Sequence, residues 1–112
     1  MRKIYVVNDS GHDFSKAKNY AEEFIVLTTG KVNIFATDRI KTKMLDAMEA
    51  AAPGDLLLLS GNSILNVLAA MVLMSKINEV GFLIYNFTTE RYEKRVYDLA
   101  DFDLMPKKYR ED

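Results

Sequence analysis

The chain has 112 residues, 49% of them hydrophobic and 28% charged, and its 15 basic and 16 acidic side chains leave a net charge of −1. That length carries one domain with a core of its own, and the composition excludes a disordered chain. The balanced charge removes any global field toward nucleic acid or an anionic membrane, and the absence of cysteine excludes disulfides, thiolate nucleophiles and cysteine metal clusters.

Met1-Arg2-Lys3 leads into the short apolar run Ile4-Tyr5-Val6-Val7. This is shorter than the apolar core of a signal peptide, roughly 7–15 residues. The longest apolar run, 64–74, is broken by Asn66 and falls far short of the roughly 20 residues that span a bilayer. A cytoplasmic chain with no membrane partner is the expectation.

Residues 3–7 are β-branched and aromatic without a helical period, and predict a strand. Residues 13–22 are a weak helix, with Asp13 or Ser15 as its cap and Ala17, Tyr20 and Ala21 on one face. Phe24–Leu27 is a second strand, and a β-α-β unit favours a parallel pair with a right-handed crossover. After the turn at Thr28-Thr29-Gly30, residues 32–35 are either a return strand or an extended connection. Thr37 or Asp38 caps a helix running to about Ala52, with Ile40, Met44, Leu45, Ala47, Met48 and Ala51 at three-to-four spacing. Pro53-Gly54 ends it.

Leu56–Leu59 is apolar on both faces, as in the centre of a parallel sheet. Ser60-Gly61-Asn62 then turns into a third helix, 63–76, which shows hardly any polar face. Such a helix sits under other elements or meets a second copy. Residues 80–85 are the fourth strand, and 91–99 an edge strand or a short helix. The order predicts an α/β fold: a small Rossmann-like sheet of four to five mostly parallel strands, about three helices, and one antiparallel hairpin or edge strand. Residues 1–100 make the domain, and 101–112 a C-terminal tail.

Each apolar run stops at a polar cluster: Asn8–Asp13, Thr28–Gly30, Ser60–Ser63 and Asn86–Thr89. Parallel strands would bring these ends to one sheet edge, where open α/β sheets bind ligands. His12, the sole histidine, lies between Asp9 and Asp13 and is a general-base candidate, with Asp9 as base or cation ligand. The same residues also make ordinary turns and caps. One histidine without cysteine builds no zinc site. Ser60, Gly61 and Asn62 open a helix, and with Asn8 and Ser10 they form a candidate cradle for a phosphate or carboxylate. No Walker loop, G-x-G-x-x-G fingerprint or nucleophile elbow is present. Asn66, inside an apolar stretch, needs partners.

Lys31, Arg39, Lys41 and Lys43 give a local basic bias that could meet the phosphates of a nucleotide or nucleic acid but also reads as a solvated helix face. Tyr85, Phe87, Tyr92 and Tyr97 interleave with Arg91, Lys94 and Arg95, a pattern able to stack bases, but nearby carboxylates cancel the charge and argue against nucleic acid. The expected function is therefore binding of a nucleotide or phosphorylated metabolite at the C-terminal sheet edge. The alternative is a non-enzymatic homodimer joined through helix 63–76, with Met44, Met48, Met71 and Met74 suited to adaptable contacts or to ordinary core filling. The sequence names no cofactor.

Overall fold

The computed structural model describes residues 2–102. In chain order it contains β1 (Lys3–Asp9), a 3-10 turn (Ser15–Tyr20), β2 (Glu23–Thr29), α1 (Thr37–Ala47), β3 (Leu56–Leu58), α2 (Ser63–Met74), β4 (Glu79–Asn86), β5 (Arg91–Asp98) and a final 3-10 turn (Leu99–Asp101). The five strands form one sheet in the order β2-β1-β3-β4-β5. β1 is parallel to β2 and β3, β3 is parallel to β4, and β5 runs antiparallel to β4. This is a mixed α/β sheet, mostly parallel, with one antiparallel pair. The expected tail at 101–112 begins within the final 3-10 turn, and 103–112 lie outside the described residues.

The topology follows from crossover chirality. From β1 the chain steps sideways to β2, then returns past β1 to β3. Two connections running in opposite directions keep one hand only if they lie on opposite faces. The packing matches this. Ala17 of the first 3-10 turn clusters with Ile4, Val6, Leu56 and Leu58. Met44 of α1 and Leu65 and Ala69 of α2 cluster with Tyr5, Val7 and Leu57 on the other face. β3 therefore buries all three leucines, which explains its unbroken apolar run.

Two sequence expectations are corrected. Residues 32–35 make neither a return strand nor a hairpin. Asn33 Oδ1 accepts from Phe35 N–H (3.1 Å) and the Asn33 carbonyl accepts from Ala36 N–H (3.0 Å), so a side-chain-supported turn replaces the ladder. The antiparallel pair is instead β4–β5, with Tyr85 opposite Tyr92. The N-cap position of α1 is Ala36, without a side-chain cap, rather than Thr37 or Asp38. Asp38 lies in the first turn, where a negative charge suits the helix dipole.

At the N-terminal edge of the sheet, the buried Asp55 clamps β1 to β3. Its Oδ1 accepts from Lys3 N–H (3.0 Å), its Oδ2 accepts from Ala52 N–H (2.9 Å), and the Lys3 ammonium lies 3.4 Å from Oδ2. Burial is the largest single influence and works against the Lys3 charge, but Asp55 and Tyr5 together outweigh it and hold the ammonium above its ordinary value. Burial pushes the nearby Tyr5 phenol up, against the pull of Lys3. Among the described residues the buried Tyr5 hydroxyl meets no partner in good hydrogen-bond geometry, and the charged group beside it is the Lys3 ammonium.

Both groups hold their protons more tightly in the folded state. Their contribution is complete below the ordinary values of 10.0 and 10.5 and is lost as pH rises through the raised ones. Tyr5→Phe is therefore expected to gain up to about 1 kcal/mol at neutral pH, because an unpartnered hydroxyl is removed. Its loss of stability in the alkaline range should also be shallower than the parent's. Urea unfolding across the alkaline range checks both; a less stable variant with an unchanged alkaline slope contradicts the assignment.

Candidate functional site

β1 to β4 all end at one edge, and the polar segments that follow them meet there. At the centre is Asn8, 3% exposed. Its Nδ2 donates to Thr28 Oγ1 (2.9 Å) and to the Gly30 carbonyl (3.0 Å), tying β1 to the end of β2. Its backbone N–H donates to Ser60 Oγ (3.0 Å), and that hydroxyl donates back to the Asn8 carbonyl (2.8 Å), tying β1 to the end of β3.

A second set of bonds fixes the start of α2. Ser60 N–H donates to Asn66 Oδ1 (3.0 Å) and Asn66 Nδ2 donates to the Asn62 carbonyl (3.1 Å). Asn62 Oδ1 accepts from Ile64 N–H (2.9 Å) and so caps α2. Asn66 thus finds the partners that a semi-buried amide requires, at the β3–α2 turn.

Gly61 sits in the left-handed region at φ +77°, and a Cβ there would lie 2.7 Å from Asn8 Cβ. Only a residue without a side chain lets the β3–α2 turn approach β1 this closely. Asp9 Oδ1 accepts from Gly11 N–H (3.0 Å) and Asp13 Oδ1 from Ser15 N–H (2.9 Å). The Ser15 hydrogen bonds hold the Asp13 carboxyl below its ordinary value. Both carboxylates shape turns. His12 is exposed, with its ring edge-on to Phe14 at 6.4 Å. Among the described residues, no three His, Asp or Glu side chains gather as a metal site.

Two cavities flank this edge, one on each face of the sheet, and Gly61 borders both. On the helix-covered face, an open groove of about 620 Å³ lies between Asn8, Ser10, Gly30 and Lys31 on one side and Gly61, Asn62 and Leu65 on the other. On the opposite face lies a cleft of about 470 Å³. Its floor is the end of β3, at Leu59, Ser60 and Gly61. His12 and Phe14, following β1, line it beside Tyr85, Phe87 and Tyr92 of the β4–β5 hairpin. Tyr85 meets Phe87 and Tyr92 edge-on at 4.9 and 5.2 Å.

The cleft is held by two hydrogen bonds between the 3-10 turn and the hairpin. Lys16 Nζ donates to the Glu90 carbonyl and Tyr20 hydroxyl to the Tyr92 carbonyl, both at 2.9 Å. Burial pushes the Tyr92 phenol above its ordinary value, with Tyr85 and Asp13 adding to the effect.

The residues singled out in the sequence are thus neighbours, but they divide between two cavities. Asn8, Ser10, Gly61 and Asn62 line one, and His12, Ser60 and Gly61 the other; Asp9 lines neither. Sequence reasoning missed Phe14 altogether and left Lys31 between a phosphate contact and a solvated basic face. It saw Tyr85, Phe87 and Tyr92 only as a mixed aromatic and charged surface. The turn at 87–90, which sets Tyr85 opposite Tyr92, is the signal that would have joined them.

A family model described as phage Pam3 gp32-like protein matches residues 2–99. No curated protein and no solved structure matches the chain.

Gly61→Ala is expected to cost about 2 kcal/mol, combining a positive φ with a collision against Asn8. Gly11→Ala is the control: it carries φ +97° but has nothing within 4 Å of the added Cβ. Chemical unfolding should show the Gly61 variant clearly less stable than the Gly11 variant; equal costs would mean the contact with Asn8 carries no weight.

Proposed function

We propose that this chain, which belongs to the phage Pam3 gp32-like protein family, is a small Rossmann-like binding domain for a nucleotide or another phosphorylated metabolite. One observation carries the reading: the cavity at the parting of β1 and β3, beside Lys31 and the start of α2. The crossover after β1 leaves toward β2 and the crossover after β3 leaves toward β4, on the other side. Sheets of this kind bind ligands outside the strand ends where neighbouring connections diverge. Lys31 supplies a cation, Ser10 a hydroxyl, and the start of α2 a partial positive charge for an anionic group.

Asn8 and Ser60 support this reading as the frame of the groove, since their side chains bond within the protein, and Asn62 caps α2 beside it. The proposal is binding rather than turnover. Asp9 Oδ1 is engaged by Gly11, and among the described residues no hydrogen bond aligns His12 with a carboxylate. Calorimetry against a panel of nucleotides and sugar phosphates should reveal a ligand, and Lys31→Ala should weaken it about tenfold by removing a charge-assisted contact. An empty panel, or binding indifferent to Lys31→Ala, defeats the proposal.

A second reading, compatible with the first, is a homodimer through α2. What favours it is the stripe Ile64, Val67, Met71 and Met74, which recurs along one helix face and stays between 36% and 58% exposed. A two-fold interface would cover this stripe with its own copy. Sedimentation at micromolar concentration should then give a dimer that Met71→Lys dissociates; a monomer for the parent chain removes this reading.

A further inference from the structure

The aromatic cleft on the helix-poor face plays no part in holding an anion. Its two charged side chains, Lys16 and Asp13, are of opposite sign, and Lys16 is already engaged by the Glu90 carbonyl. What remains is a set of rings. Tyr92 is 8% exposed and belongs to the buried cluster, whereas Phe87 is 85% exposed. Phe87 touches Tyr85 edge-on, an arrangement that leaves faces of the Phe87 ring open. A large apolar ring held at the mouth of a cavity has its main use in contact with something flat.

We infer that this cleft seats a heteroaromatic base, which makes the ligand a nucleotide rather than a sugar phosphate. The inference rests on the reading that the cavity beside Lys31 holds the anionic group. Three features support it. The cleft's volume of about 470 Å³ lies in the range of small-molecule sites. Gly61 borders both cavities, so the base site and the phosphate site meet at the turn that ends β3. The bonds from Lys16 and Tyr20 hold the hairpin in place, so the cleft needs no closing motion before a base enters.

The test compares ligands that share ribose and phosphate and differ only in the base. Calorimetry is run with the four ribonucleoside 5′-monophosphates and with ribose 5-phosphate, on the parent chain and on Phe87→Ala and His12→Ala, two exposed positions whose loss leaves the fold intact. At least one monophosphate should bind about tenfold more tightly than ribose 5-phosphate, the scale of one base stacked on an aromatic ring. Phe87→Ala should erase most of that margin and leave ribose 5-phosphate binding unchanged. Equal binding of all five overturns the base site while leaving the phosphate reading intact. Binding of none overturns both. A nucleotide preference that survives both substitutions places the base elsewhere and overturns the assignment. A short oligothymidylate that binds more tightly than every mononucleotide overturns it in favour of a single-stranded partner.

Discussion

The buried amide of Asn8 is the constraint on which the rest of this structure depends. Its side chain reaches the end of β2 and its backbone exchanges two hydrogen bonds with the Ser60 hydroxyl at the end of β3. A buried polar group left without a partner costs about 1–3 kcal/mol, so each of these partners must be present for the others to be tolerated. The arrangement also fixes register. A slip of β1 by one residue would turn Asn8 toward the opposite face and carry Tyr5 and Val7 out of their cluster. At the far end of the strand, Asp55 binds the Lys3 backbone and ammonium together. β1 is thus held to its neighbours at both ends, with apolar packing between.

This constraint changes what the polar edge can offer a ligand. A side chain already committed to two internal hydrogen bonds has little left to give, and Asn8 and Ser60 are in that position, while Asn62 spends its side-chain oxygen on the α2 cap. Their contribution is to place backbone, and Gly61 is where that placement is closest. The groups free to meet a ligand lie one step outward: Ser10 and Lys31 on one face, and the aromatic rings on the other. Preorganised sites have this division, with an inner layer that bonds to itself and an outer layer that bonds to the ligand.

The sequence made the edge legible because strand alternation and turn chemistry are local. Residues 3–7 could be placed as a strand and Leu56–Leu59 as a central one from their apolar runs, and the adjacency of Asn8 to Ser60 follows once the structure makes the two strands parallel neighbours. What stayed hidden depends on pairing at a distance. Residues 32–35 carry a strand-like composition, yet the Asn33 side chain bonds a backbone N–H two residues on and bends the chain there. The cleft rings come from three separate segments, and no local pattern shows that Phe14 shares a cavity with Tyr85. The missing cap on α1 has the same origin: two good capping residues stand at its start, but the chain enters through Ala36, one residue earlier.

The two faces of the sheet are covered unequally, and this asymmetry bears most on function. One face receives two helices. Among the described residues the other receives a six-residue 3-10 turn and no α-helix, because the β1–β2 connection is short and β4 continues into an antiparallel hairpin instead of a crossover. Aromatic rings make up the shortfall: Tyr92 and Tyr85 shield Leu58 and Leu83 where a helix would otherwise lie. Rings recruited as cover also form a wall, and the wall is graded from fixed to free. Tyr92 is locked in the cluster, Tyr85 is partly buried against it, and Phe87 stands in solvent at the rim. Core packing therefore holds the inner rings rigid, while the outer ring, which contributes little to that packing, is left available for contact with a ligand.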